Sequence, residues 1–442
     1  MTRLTRAEIR NLIIYSVYVR AHGATGTLAD VEADLRRIKD LGVDVIWLMP
    51  IHPIGKVKAK GSMGCPYSIS DYREVNPEYG TLADFERLLA EAHKIGLKVI
   101  IDVVYHHTAH DSNLIDEHPD WYRQDADGKP RTSVPEWSDI IDLKHPNEEL
   151  TKYLIDSLAL WVLRGVDGFR CDVASCIPLE FWKTAYEQLY KKAPDLIWLA
   201  ESVHTSFLIN RRRAGLPAHS DAELYEAFDI TYDYDVWDAW EASVKGTLPI
   251  ERYLELLVMQ DSTYPANFNK LRFVENHDQK RIMKLAKSKN QALAWTAFQA
   301  FNKGPFMIYA GEESAATHTP SLFEREPIEW RNYELSPFLS KLCELKKNQI
   351  CCNGTFAILE AKDCVQACWQ LDDEVLYGIF NVNDVSQAFS VQLQDGQYED
   401  LLSGKKIQIK NREIQVPEPA VIIQTKSTKG FDLFIPHYWK RD

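Results

Sequence analysis

The chain has 442 residues, with 51 Lys and Arg against 64 Asp and Glu, giving a formal net charge of −13. That acidic balance leaves no basic excess to displace counterions from phosphates, which argues against a nucleic-acid or anionic-membrane partner. A hydrophobic content of 45% with 26% charged residues excludes disorder as the main state, and no run reaches the ~18 apolar residues that span a bilayer.

In chain order, the block NLIIYSVYVR (11–20) is apolar, alternating and closed by Arg20, with no small-residue cleavage site after it. It reads as a first strand and not as a secretory signal, so a cytoplasmic location is expected. Further near-continuous apolar runs follow at 43–49, 97–105, 166–173, 196–202, 227–234, 271–276 and 305–311. Runs of this kind mark strands covered on both faces. Helical patterns lie between them at 28–41, at 82–95 with Thr81 as N-cap and Gly96 as stop, and at 150–163 ending at Gly165. Eight runs with helical spacers predict an α/β fold in which parallel strands close into a (β/α)8 TIM barrel. An open doubly wound sheet is the alternative, but no glycine-rich phosphate turn follows the first run.

One spacer breaks the rhythm. Residues 106–147 form a long polar stretch rich in Pro and aromatic residues, read as a short inserted domain (a B domain) after strand three. Its Trp121, Tyr122 and Trp137 are expected mainly to pack that insert. The triple Arg211–Arg213 reads as a solvated turn without function. Beyond residue 350 the hydrophobic period becomes two, at 374–382, 388–394, 406–416 and 420–425, which predicts an antiparallel β-sandwich over 351–442. The barrel then takes 1–105 and 148–350. The eight Cys, in a large chain without a signal, are expected to be free and mostly buried.

A parallel barrel carries its chemistry at the C-terminal ends of its strands. Strand three ends in Asp102, His106 and His107. Strand four ends in Arg170 and Asp172, strand five in Glu201, and strand seven in Asn276, His277 and Asp278. Cleaving a glycosidic bond needs one carboxylate as nucleophile and one protonated carboxyl as acid. Arg170 and Asp172 are two apart and point the same way, so the cation is expected to favour ionised Asp172 and suit it to attack. Glu201 follows the apolar LIWLA, which is expected to raise its pKa and suit it to donate a proton. Asp278 beside His277 suits sugar hydroxyls and a cationic transition state. Any one strand-end Asp more often caps a helix; the joint pattern is what points to chemistry. His106, His107 and His110 lack the Glu of the helical zinc motif and are not read as a metal cluster.

The segments DVVYHH (102–107), GFRCDVAS (168–175), LAES (199–202) and FVENHD (273–278) resemble the four signature segments of the α-amylase family of glycoside hydrolases. Supporting segments at 42–50, 66–81, 140–146 and 304–313 are similar as well, so the resemblance covers nearly the whole chain. It implies a barrel, a B domain and a C-terminal β-sandwich, and a retaining mechanism. Residue by residue it implies Asp172 as nucleophile, Glu201 as acid/base and Asp278 as transition-state stabiliser. It implies substrate-binding roles for Tyr67 as an aromatic platform, for His107 and His277 on the hydroxyls of the same sugar, and for Arg170, with Asp102 as its buried partner. His204 is placed to touch the leaving sugar. The second segment ends in Ser175-Cys176 where many endo-acting amylases have Lys-His. The first usually has Asn where His106 stands, and that Asn often ligates a structural calcium together with an Asp equivalent to Asp142 and a backbone carbonyl after the nucleophile. Calcium prefers oxygen ligands, so His106 argues against that site, and no organic cofactor or metal is expected. The expected activity is cleavage of α-1,4 bonds in malto-oligosaccharides or starch. An α-glucosidase or α-glucan transglycosylase is the alternative within the chemistry, and a non-catalytic glycan-binding barrel the remote one. The sequence is silent on oligomeric state.

Overall fold

Eight short parallel strands form the centre: β1 (Ile13–Val17), β2 (Val45–Leu48), β3 (Lys98–Val103), β4 (Gly168–Cys171), β5 (Ile197–Ala200), β6 (Ile230–Tyr232), β7 (Lys270–Leu271) and β8 (Phe306–Tyr309). The coordinates are a computed structural model and describe residues 6–416, 418–427 and 429–439. The first five residues, which open the stretch read as lacking a signal, lie outside the described residues. The strands follow one another in the order β8-β1-β2-β3-β4-β5-β6-β7. A parallel bridge between Arg272 and Phe306, with Arg272 N–H to Pro305 O at 2.8 Å and Met307 N–H to Arg272 O at 2.8 Å, closes the ring. Every strand residue except Lys98 is buried, as continuous Val/Ile/Leu runs require when helices cover the outside.

The helices form where the apolar spacing demands. Leu28–Asp40 buries Leu28, Val31, Leu35 and Ile38 on one stripe. Leu82–Lys94 starts in a reciprocal capping box between Thr81 and Asp84. Glu148–Leu163 is capped by the Asn147 side chain, which accepts from the Leu150 N–H. No described helix is long and apolar enough to cross a membrane.

Several expectations need correction. The strand expected over 271–276 is the two residues Lys270–Leu271, so only Leu271 of that run lies in it. Beyond them the chain is held by side chains, because Lys270 and Arg272 are buried cations: Lys270 Nζ meets Asp221 at 2.6 Å and Asp235 at 2.8 Å, and Arg272 NH1 meets Asp233 at 2.6 Å. Residues 106–147, read as a short inserted domain, carry secondary structure of their own. His107–Ala109 pairs antiparallel with Ile140–Asp142, and a short helix spans Asn113–Glu117. Trp121 and Tyr122 are buried in this insert, as expected. The arginine run is no solvated turn either: it ends the helix Thr205–Arg213, and Arg211 is buried.

The boundary expected at residue 350 falls inside a helix, Gln349–Asn353. A four-stranded antiparallel sheet follows, made of Thr355–Leu359, Val365–Leu371, Glu374–Phe380 and Ala420–Lys426. Two small two-stranded ladders pack on it through Phe389, Val391, Ile409 and Ile414 against Val375, Tyr377, Val421 and Ile423. The expected strand 406–416 is two strands, Lys406–Ile409 and Glu413–Gln415, because Asn411 and Arg412 turn the chain at φ +56°. All eight Cys are free, and six are buried.

Candidate active site

Strand register brings the charged residues together. Asp102 and Arg170 are direct neighbours across the β3–β4 ladder. Arg170 NH1 donates to both Asp102 oxygens, at 3.0 and 3.1 Å. Period-two alternation puts Asp172 on the same face, and the same NH1 reaches its Oδ1 at 2.9 Å. The ladder continues past β4 and β5, with Glu201 N–H on Cys171 O at 3.0 Å. The other terminal nitrogen, NH2, lies 3.0 Å from Glu201 Oε2, an ion-pair contact without hydrogen-bond alignment. One guanidinium therefore touches three carboxylates. It is enclosed by Trp47, Tyr67 and Tyr232, whose ring centroids lie 5.2, 5.6 and 5.4 Å from it.

Glu201 Oε2 also accepts the Val173 N–H at 2.7 Å. Val173 holds φ at +36°, the left-handed region that a β-branched residue rarely enters. The turn directly after Asp172 is thus strained, and it is the turn that fixes Glu201. On the far side, Tyr67 OH donates to Asp102 Oδ2 at 3.1 Å and lies 2.8 Å from His277 Nε2, and its ring stacks on His277 at 5.4 Å. His277 Nε2 also meets Asp278 Oδ2 at 3.1 Å. Asn276 Oδ1 accepts the Asp278 N–H at 2.9 Å, while its amide donates to Tyr234 OH at 2.7 Å.

Burial controls the electrostatics. It pushes the Asp172 carboxyl up to about 7, against the pull of Arg170 and with repulsion from Asp102. This overturns the expectation that Arg170 would hold Asp172 low: the cation does pull it down, but burial outweighs that pull. Burial also raises Glu201 to about 7, opposed by Arg170 and reinforced by Asp172, in the direction its apolar approach predicts. Asp102 is raised to about 6 by burial, again opposed by Arg170. Asp278 goes the other way: burial acts to raise it, but the neighbouring His277 outweighs that and holds it below the usual carboxylate range. Burial lowers His107 to about 4, so it is neutral at pH 7. A buried set of acids sharing one cation keeps a proton near neutrality, so one member can donate while another attacks.

The carboxylates open into a cavity of about 390 Å³ lined by Asp172, Glu201 and Asp278 together with Tyr67, His107, His204 and His277. Asp278 is the most open of the three acids, with 40% of its side chain exposed against 8% for Asp172 and 10% for Glu201. Arg170 and Asp102 do not line it. Both are fully buried, so Arg170 and Asp102, expected among the substrate-binding residues, stand here as groups that position the acids lining the cavity. His204 lies flat on Tyr234 at 4.3 Å and pairs with Asp238 at 3.1 Å. Sequence reasoning missed Lys60, Asp139, Phe207 and Phe323, and assigned Trp137 to packing; all five line the cavity. Trp137 packs on His107 at 5.7 Å and on Phe207 at 6.0 Å. Only the aromatic content of the long insert could have signalled it.

The calcium position that the signature segments bring to mind is tested by its donors. His106 Nδ1 lies 3.1 Å from His107 Nδ1, and its Nε2 lies 3.3 Å from Arg211 NH2. Asp142 keeps one buried oxygen without a hydrogen-bond partner, 3.9 Å from His106 Nδ1. Arg211 NH1 also reaches Ser133 Oγ at 3.4 Å. Calcium takes six to eight oxygens, and an imidazole with a guanidinium beside it does not fit that demand. His110 Nε2–H donates to Ser138 O at 3.0 Å. Among the described residues no group of three or more His, Cys, Asp or Glu is arranged to hold a metal ion.

Residues 16–367 match the family model of the alpha amylase catalytic domain. The chain belongs to the α-amylase family. Residues 357–423 match the bacterial alpha amylase C-terminal domain. An alpha-amylase from Lactobacillus plantarum is 42% identical with a TM-score of 0.91, over 95% of this chain and all of that one. A maltogenic alpha-amylase from Thermotoga neapolitana is 30% identical with a TM-score of 0.84, over 94% of this chain and 99% of that one. Alpha-amylase 2 of Dictyoglomus thermophilum is 24% identical over 402 residues, 86% of this chain and 67% of that protein. As a member of the α-amylase family with these relatives, the protein is a glycoside hydrolase.

Proposed function

We propose that the protein is an α-amylase-type retaining hydrolase that cleaves α-1,4-glucosidic bonds in malto-oligosaccharides. The observation that carries this reading is the pairing of Asp172 and Glu201 on the two terminal nitrogens of one guanidinium. Acids on adjacent nitrogens of one guanidinium suit the ~5 Å spacing of a retaining pair, whereas an inverting pair stands ~6.5–9.5 Å apart to admit a water. Asp172 is the nucleophile. It attacks the anomeric carbon as Glu201 gives its proton to the departing glycosidic oxygen, so one C–O bond forms and one breaks. Glu201, now ionised, then takes a proton from water as that water displaces Asp172. Arg170 stabilises whichever acid is ionised, which lets the proton move between the two roles. Asp278, held ionised by His277, stabilises the cationic sugar, and neutral His107, with His277, takes its hydroxyls. Tyr67 forms the platform under the same ring. No calcium enters the scheme, because Arg211 already supplies a cation between the insert and the barrel.

The test is reducing-sugar release from maltoheptaose. Asp172→Ala and Glu201→Gln should each lose ~10²–10⁴-fold in turnover, and Glu201→Gln should still bind substrate. Activity should survive a chelator. The first product seen by NMR should be the α-anomer. Unchanged release in Asp172→Ala, or β-anomer appearing first, would overturn the reading. Longer chains formed at the expense of free sugar would assign a transglycosylase, and glucose as sole product an α-glucosidase.

A further inference from the structure

One wall of the cavity is built from three chain segments locked to one another. Lys60, in the segment after β2, places its Nζ 2.9 Å from Asp139 Oδ1 and 2.7 Å from Glu136 O, both in the insert after β3. The same ammonium lies 5.9 Å from the ring of Phe323, in the segment after β8. Backbone contacts reinforce the closure. Met63 N–H donates to Phe323 O at 3.0 Å and Ser62 N–H to Glu324 Oε1 at 2.9 Å. Gly61 sits at φ +64°, where an added Cβ would lie 2.6 Å from Phe323 O, so this approach needs glycine. Beneath it, the 2%-exposed Arg20 donates to Gly64 O at 2.9 Å, Leu322 O at 3.1 Å and Met63 O at 3.1 Å. Ser68 Oγ donates to Asp139 O at 2.8 Å. These are not loose loops over a cleft but one tied wall.

Its place in the barrel gives it a direction. β8, β1, β2 and β3 are neighbours on one half of the ring, and the wall rises from that half. His204, Phe207 and Tyr234 follow β5 and β6 on the other half and line the cavity there. The proton donor Glu201 belongs to that second half, so the leaving part of a chain lies toward His204 and Phe207. We propose that the Lys60–Asp139 pair, seated on Phe323, ends the cleft on the non-leaving side and makes the enzyme chain-end-acting. It removes short units from the non-reducing ends of α-glucans, with the ammonium and carboxylate reading the hydroxyls of the terminal sugar. This rests on the retaining assignment of Asp172 and Glu201. The cavity of about 390 Å³ agrees, being near the small end of the ~300–1,000 Å³ of ligand pockets.

Two forms of maltoheptaose test it: one open, and one whose non-reducing-end glucose is blocked by a cyclic acetal. Wild type should hydrolyse the blocked chain at least ~10-fold more slowly, because a terminal group that meets the wall loses its fit. In the first turnover, open chain labelled at its reducing end should give labelled fragments shortened only by the first one or two units. The Lys60→Gly/Asp139→Gly variant should bring the two rates together if its melting temperature shows it folded; the wild-type ratio decides the matter if it is not. Equal wild-type rates on both chains, or a spread of labelled internal fragments, would overturn the proposal. No release from the open chain, with Asp172 intact, would instead overturn the α-1,4 reading beneath it.

Discussion

Replacing Asp172 with Asn should stabilise the protein at alkaline pH while abolishing turnover. The carboxyl has an ordinary value of 3.8 and is raised by burial, against Arg170, to about 7. The folded state therefore holds the proton more tightly than the unfolded chain, and stability falls as pH rises from about 3.8 through about 7. At ~1.36 kcal/mol per pH unit the full difference is about 4 kcal/mol. Asn carries no charge to desolvate. Neutralising position 172 also lets Glu201 ionise more easily, since each acid raises the other, so only part of that ceiling is recovered, about 2 kcal/mol. In a chain of this size that corresponds to roughly 2 °C in melting temperature. The assay is calorimetry of wild type and Asp172→Asn at matched scan rates, at about pH 4 and about pH 8. The two should melt together in acid and separate in base, with the variant higher. A variant that melts lower at about pH 8, or by the same margin at both, would refute burial as the dominant force on this carboxyl.

The rate profile should be bell-shaped and narrow, because Asp172 must be ionised and Glu201 protonated while burial raises both to about 7; a plateau across several pH units would contradict this. Asp102→Ala removes the carboxylate that holds Arg170 from behind, and breaking such a buried pair should cost ~3–5 kcal/mol in denaturant unfolding. Tyr67→Phe keeps the stacked ring and loses only the hydroxyl bonds to Asp102 and His277; kcat/KM should fall by about tenfold with the melting temperature nearly unchanged.

The carboxylates that line the cavity were legible because a parallel barrel sends the ends of all its strands to one face. Reading the polar residue after each apolar run was then enough to find Asp172, Glu201 and Asp278. The charge state of Asp172 was not legible. Neighbouring Arg170 is visible two residues away, but its division among Asp102, Asp172 and Glu201 depends on register between strands 68 and 31 residues distant. The left-handed turn at Val173 leaves no mark either, since a valine there contradicts local preference. Lys60 and Asp139 lie 79 residues apart and look like ordinary surface charges until the insert folds back over the barrel. The seventh strand was overestimated because Leu271, Phe273 and Val274 give LRFVEN a strand-like pattern, although only Leu271 of that run lies in the strand.

That seventh stave has a consequence for how the barrel breathes. With two residues in its ladder, it has fewer main-chain bonds to its neighbours than the other seven, and amide exchange should begin there. Yet it ends in His277 and Asp278. Their placement is delegated to a scaffold of charges below, where Glu275 grips Arg281 NH1 at 2.6 Å and the Ile282 N–H at 2.6 Å. A thinly laced stave with an ionic keel can change its tip without unravelling the sheet, which makes this the segment where the barrel can most readily adjust to a different sugar.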